Sequence, residues 1–138
     1  MNVFVDTNIL LDVLGPRELF YAASSGIWTL AETGRINGYV SALSLPNVFY
    51  VIRRSGGLAA AREAVTTVRD VMGVVPLDSL IINQAIDSEM ADFEDAIQFF
   101  SALRAEATAL VTRNPKHFPG QDIPVLIPAE FLSMHFAM

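Results

Sequence analysis

What most constrains this chain is its alternation of short β-branched or aromatic runs with longer stretches of helical periodicity. Strand-like runs stand at residues 2–5, 39–42, 109–112 and 125–127, with a weaker one at 74–75 before Pro76. Helical patterns fill residues 17–33, 45–54, 58–72, 78–90 and 93–107. Gly34 supplies a C-cap for the first, and Ser44 an N-cap for the second, which tolerates Pro46 in its first turn. Gly56-Gly57 separates the second from the third, Gly73 ends the third, and Asp92 caps the fifth. In that fifth helix Phe93, Ala96, Ile97, Phe100 and Leu103 recur at i, i+3 and i+4 and predict the core face. Strands joined through helices pair in parallel by right-handed crossovers. The expected fold is therefore α/β: a three-layer α/β/α arrangement around a parallel sheet of four to five strands. No repeat, low-complexity tract or linker divides the chain, so residues 1–138 are expected to form a single domain.

Composition narrows the function classes. With 52% apolar and 17% charged residues in 138, the chain can bury a core and is not disordered or a coiled coil. A formal charge of −6 argues against a nonspecific coat on nucleic acid, which needs a basic surface. It leaves room for carboxylates that bind a metal and let the metal meet a phosphate. The absence of cysteine excludes disulfides, zinc–thiolate sites and thiol nucleophiles. The mean hydropathy of +0.41 prompts a search for a membrane span. The longest uncharged stretch, residues 36–52, carries Asn37, Ser41, Ser44, Pro46 and Asn47 and falls short of about 20 apolar residues. The opening Met-Asn-Val-Phe-Val has no basic region ahead of its apolar run, so no secretory signal is expected. The chain reads as soluble and cytoplasmic, and its apolar surplus predicts a face covered by a partner or a second copy.

An open parallel sheet binds ligands beyond the carboxyl ends of its strands, where the strand order reverses. That rule selects Asp6 at the end of the first strand, Asn114 just past 109–112, and Asn47 in the first turn after the second strand. It also selects Asp92, Glu94 and Asp95 at the start of the helix leading into 109–112. Each has a structural alternative. Asp6 can cap the helix that begins at Thr7-Asn8, and Asp92 with Asp95 can form an acidic cap favoured by the helix dipole. Asp92, Asp95 and Phe99 are expected on one face, with Glu94 and Gln98 pointing elsewhere. Asp12, Asp70 and Asp87 read as solvated charges, and His117 and His135 as surface residues. No glycine-rich phosphate loop and no Ser/His/Asp arrangement is suggested.

These residues carry a resemblance. The opening Val3-Phe4-Val5-Asp6-Thr7-Asn8-Ile9-Leu10-Leu11-Asp12-Val13-Leu14 resembles that of PIN-domain proteins, whose best-known members are VapC-type toxin ribonucleases. Asp92-Phe93-Glu94-Asp95-Ala96-Ile97-Gln98 resembles the family's third acidic motif, and Leu110-Val111-Thr112-Arg113-Asn114-Pro115-Lys116-His117-Phe118 its fourth. Ile123-Pro124-Val125-Leu126-Ile127-Pro128-Ala129-Glu130-Phe131-Leu132 is similar to its last strand and closing helix.

The resemblance implies an endoribonuclease that uses Mg²⁺ or Mn²⁺, forms a homodimer and is paired with an antitoxin protein. It implies Asp6 as first metal ligand, Asp95 as the principal later one, and Asp92 as an alternative ligand or support. Thr112 and Asn114 would sit beside Asp6 and hold water or substrate, Asn8 would orient Asp6, and Asn47 and Asn114 would complete the catalytic set with Asp92 or Glu94 compensating. Two positions depart from the usual pattern: Asn47 stands nearest to where a glutamate is typical, and Asn114 where an aspartate is common. Amides coordinate with less electrostatic attraction than carboxylates. Arg53 and Arg54, with Arg62 and Arg69 beyond, are a candidate phosphate-contacting rim, or simply helix-end and solubilising charges. A rival reading is a non-catalytic PIN-fold module that binds nucleic acid or protein. A phosphoacceptor receiver domain would need an acidic pair at the first strand end, and a haloacid-dehalogenase-type phosphatase an Asp where Asn8 stands; both fit poorly.

Overall fold

A computed structural model describes residues 1–15, 21–119 and 122–136. Its elements are β1 (Asn2–Val5), α1 (Thr7–Leu14), α2 (Tyr21–Glu32), β2 (Asn37–Ser41), α3 (Ser44–Val71), β3 (Gly73–Val75), α4 (Ser79–Asp87), α5 (Phe93–Arg104), β4 (Ala109–Val111), β5 (Val125–Leu126) and α6 (Pro128–Phe136). A 3-10 turn, Pro115–His117, follows β4. The five strands form one sheet in the order β3-β2-β1-β4-β5, and every pairing is parallel. The chain thus builds outward from β1 to β3, then returns to the other side of β1 for β4 and β5. The order reverses between β1 and β4, which opens a crevice at their carboxyl ends.

The strands alternate because successive side chains face opposite sides of a sheet. Val3 and Val5 of β1, with Ala109 and Val111 of β4, pack into one core with Ile9, Ile27, Val48 and Phe131. Phe4 and Leu110 point the other way, into a second core with Ile81, Ala96, Ile97 and Phe99. One helical layer therefore comprises α1, α2, α3 and α6, the other α4 and α5. This is the expected three-layer fold, and the weak run at 74–75 is a true edge strand paired to β2.

Local details depart from expectation for physical reasons. The helix expected at 17–33 is seen from Tyr21 to Glu32, its first residues lying outside the described part. The helices expected at 45–54 and 58–72 run on as α3, broken by a kink at Gly57, whose φ of 90° is one that side-chain-bearing residues rarely adopt. Ser44 is not an N-cap: Leu43 holds that position without a side-chain bond, and Ser44 is turned inward. On α5, Phe93 is exposed whereas Ala96, Ile97 and Phe99 are buried, so the core face is rotated toward Phe99 from the face expected. Among the described residues no helix is long and apolar enough to cross a membrane.

Candidate active site

Asp6 is the first residue after β1, and the register that aligns Val5 with Val111 sets it beside Thr112. Its backbone N–H donates to Val111 O at 3.0 Å, which extends the ladder by one bond. The carboxylate is only 7% exposed and is held from three sides. Thr112 Oγ1 donates to Oδ2 at 2.7 Å and the Thr7 N–H to Oδ1 at 2.7 Å, while Asn8 Nδ2 stands 3.4 Å from Oδ2. Burial raises the Asp6 pKa, and the Thr112 and Thr7 hydrogen bonds, with the charges of Arg113 and His117, work against that rise.

Asp95 arrives from the opposite layer. Asp92 caps α5 by accepting from the Asp95 N–H at 2.9 Å, and so starts the helix that aims Asp95 at the crevice. A chamber of about 420 Å³ lies there, lined by Asp6, Asn8, Asn47, Glu94, Asp95, Gln98 and Asn114 among others. Desolvation pushes the Asp95 pKa from 3.8 to about 6, with further upward pressure from Asp92, Asp6 and Glu94. His117 pulls it down, its Nδ1 lying 3.4 Å from Asp95 Oδ2.

Most of the residues selected from the sequence meet in this chamber. Thr112 is wholly buried and serves as a hub: it donates to Asp6 and accepts from the Asn114 N–H at 3.1 Å. Asn8 reaches toward Asp6 and Thr112, while its Oδ1 faces the Arg113 N–H at 3.4 Å. Asn47 projects from the first turns of α3 into the chamber. Asp92 does not line it; spent on the cap, it faces a neighbouring groove of about 880 Å³ with Phe99, Lys116 and His117. Arg53 and Arg54 are exposed on α3 and do not line the chamber. Arg54, seven residues after Asn47, continues the helical stripe of Asn47, Tyr50 and Val51, which do.

The grouping expected on α5 is seen: Asp92, Asp95 and Phe99 line the groove together, while Glu94 and Gln98 line the chamber, and Asp95 stands between and lines both. Only the separation of that face from the core needs correcting, since Phe99 is also buried in the second core. His117 is a surface residue, as expected, yet it also touches Asp95. Asp12 is not solvated: it is wholly buried, with Ser24 Oγ donating to Oδ2 at 2.8 Å and the Arg113 guanidinium forming an ion pair with Oδ2, its Nε 3.1 Å away. The inward-facing Ser24 and the Arg next to Thr112 were the sequence signals that could have suggested a buried pair.

The donor set suits a hydrated divalent cation. Mg²⁺ commonly keeps several waters and takes only one or two protein carboxylates. Asp6, Glu94 and Asp95 face one chamber, and their mutual repulsion, visible in the raised Asp95 pKa, is what a cation would relieve. Among the described residues, no three His, Asp or Glu side chains form a ready-made cage, so amide oxygens and water would complete the shell.

A pH dependence follows from Asp95. Its folded pKa lies above its ordinary value, so the folded, metal-free chain holds a proton that the unfolded chain has released. Stability should therefore decline as pH rises from about 4 to about 6 and level off above that. Thermal melts in EDTA across this range measure it, with Asp95→Asn expected to flatten the decline; an equally steep decline in the variant would remove Asp95 as its source.

Comparison with known proteins places this geometry. A family model described as PIN domain matches residues 2–116. The chain is 25% identical over 135 residues to Ribonuclease VapC1 of Aquifex aeolicus, covering 94% of this chain and 92% of that one. Among solved structures, it is similar to a toxin–antitoxin complex from Klebsiella pneumoniae, with a TM-score of 0.68 and 21% identity over 91% of this chain and 97% of that one. It is also similar to Mycobacterium tuberculosis VapC20, described as a sarcin-ricin loop cleaving toxin, with a TM-score of 0.64 and 17% identity over 86% and 91% of the two chains. The family match takes in β1 with Asp6, the α5 acidic turn and the strand β4 that brings Thr112, and the chain belongs to the PIN domain family.

Proposed function

We propose that this protein is a divalent-metal-dependent endoribonuclease, the toxin of a toxin–antitoxin pair, acting in the cytoplasm on RNA. The observation that carries the reading is the convergence of Asp6 and Asp95, from opposite layers, on one polar chamber at the point where the strand order reverses. The ribonuclease and toxin names of its relatives support the same reading. Asp6 and Asp95 would hold a Mg²⁺ or Mn²⁺ ion, with Glu94 at the rim and Asp92 supporting Asp95 through the helix cap. When bound, the ion lowers the pKa of a water and neutralises charge on the scissile phosphate.

The chain's own residues have separable tasks. Thr112 and Asn8 keep the Asp6 carboxylate turned into the chamber, because their hydrogen bonds favour its ionised form. Asn47 and Asn114 offer amide groups that can both donate to a phosphate oxygen and accept from a water. Lys116 stands in the groove next to Asp95 and can neutralise the phosphate of a flanking nucleotide. Arg53 and Arg54 extend the same service along α3. The exposed apolar side chains of Tyr50 and Val51 beside Asn47, and of Leu80, Ile86 and Phe93, are surface for an antitoxin and a second copy.

The decisive test is calorimetric titration of the wild type with Mn²⁺ and Mg²⁺, alongside cleavage of single-stranded RNA with and without EDTA. Binding together with EDTA-sensitive cleavage supports the nuclease. Absence of both supports the non-catalytic module, the reading favoured by amides at positions 47 and 114. For the rim, Arg53→Ala/Arg54→Ala should weaken RNA binding and reduce its log–log salt slope by about 1 to 2. An unchanged slope would assign both arginines to solubility alone.

A further inference from the structure

Gln98 is 3% exposed, lines the chamber and takes no part in the roles described above. Its Nε2 donates to Thr7 Oγ1 at 3.1 Å and to Ser44 Oγ at 3.3 Å, and those two hydroxyls are themselves 2.6 Å apart. The amide oxygen, Oε1, is buried without a hydrogen-bond partner. A buried carbonyl without a donor weakens a fold, and an apolar side chain of the same shape can be as stable or more so. Stability therefore does not explain a glutamine here.

Its position does. Thr7 directly follows Asp6, Ser44 stands one helical turn before Asn47, and Gln98 stands one turn after Asp95. The three side chains thus join α1, α3 and α5 immediately beside the three residues that those elements bring to the chamber. Apolar packing sets how deeply α5 is buried but is non-directional, so it restrains sliding and rotation of the helix weakly. Hydrogen bonds are directional and register the three elements against one another.

We propose that Gln98 is a positioning residue: with Thr7 and Ser44 it forms a bracket that fixes the separation of the Asp6, Asp95 and Asn47 side chains. The inference rests on the nuclease reading, because the separation matters only if the three act on one ion and one phosphate. Misplacement of reacting groups by about 1 Å can lower a rate by about a hundredfold.

The test is Gln98→Met in the full chain, a change that keeps the volume and removes the amide. Relative to wild type, Mn²⁺ affinity should fall about tenfold and kcat for single-stranded RNA by roughly 10- to 100-fold, with KM changed by less than about threefold. The thermal midpoint should hold or rise, an outcome that a merely structural role would reverse. Ser44→Ala should move affinity and kcat in the same direction, and the double variant should lose little more than Gln98→Met alone, as expected for groups acting as one unit. Gln98→Met or Ser44→Ala with affinity and kcat within about twofold of wild type would overturn the bracket, as would losses that merely track a lowered folded fraction. A wild type that binds no Mn²⁺ and cleaves no RNA would overturn the nuclease reading and the bracket with it, and the control alone reveals that case.

Discussion

Asp6→Asn should abolish Mn²⁺ binding and lower RNA cleavage by at least about a thousandfold, while making the metal-free protein more stable. A bound ion contributes several kcal/mol to stabilising developing charge, and each 1.36 kcal/mol is a factor of ten in rate. Asp6 is the more deeply buried of the two converging carboxylates, so a neutral amide in its place removes the negative charge nearest the sheet. The predicted gain in stability has a separate cause. Burial raises the Asp6 pKa, which means that the ionised form is less favourable in the folded chain than in the unfolded one. Asparagine has nearly the same shape, its oxygen can still accept from the Thr7 N–H, and the Thr112 hydroxyl can turn to suit its new partner. Calorimetry with Mn²⁺, RNA cleavage, and thermal melts in EDTA near neutral pH check the three parts. A variant retaining a tenth of wild-type cleavage would remove Asp6 from the ion's ligands. Asp95→Asn should show the same pattern, with a smaller gain in midpoint because Asp95 is less buried.

The largest loss of stability is expected from Arg113→Met. The Asp12 carboxylate is completely buried, its Oδ2 receives Ser24 and faces Arg113 Nε, and its Oδ1 has no hydrogen-bond partner. Removing the cation from a buried pair leaves an uncompensated charge and costs about 3–5 kcal/mol. In a domain of this size that is a fall of roughly 10–20 °C in thermal midpoint. The double variant Asp12→Leu/Arg113→Met should recover most of the loss, because two apolar groups remove the desolvation problem that one partner alone creates. The effect should extend to catalysis. Arg113 lies between Thr112, which donates to Asp6, and Asn114, which lines the chamber. The ion pair therefore ties α1 to the loop that completes the site, and even the folded fraction of Arg113→Met should cleave RNA more slowly than wild type. A midpoint shift of only a few degrees would show that the Ser24 hydroxyl and the surrounding packing suffice to hold Asp12.

The layers of the fold were legible in the sequence because each element carries its own period. Strand runs such as Val3-Phe4-Val5 are short and β-branched, and the helical stretches between them are long enough for crossovers. Asp6 was legible as a candidate for the same reason, since it ends a strand and the ends of parallel strands are where such sheets bind ligands. Thr112, Asn8, Asn47, Asn114 and Asp95 followed from their places relative to strand ends and from the family resemblance. The match to the family model over residues 2–116 carries that resemblance across five-sixths of the fold's order of elements, β1 through the turn after β4.

What the sequence could not decide was which polar groups are buried. On α5 the spacing set Phe99 on the Asp92 and Asp95 face, apart from the core, and gave Gln98 no partner; in the structure Phe99 also enters the core and Gln98 meets Thr7 and Ser44. Asp12 looks like any helix-surface acid until α2 supplies Ser24 and the loop after β4 supplies Arg113, residues 12 and about 100 positions away. Asp92 and Asp95 look equivalent in the chain, yet one closes the helix and the other faces Asp6. Periodicity is a property of neighbours and is therefore written in the sequence. Burial of a charge and the partner that satisfies it are long-range properties, and only the packed layers determine them.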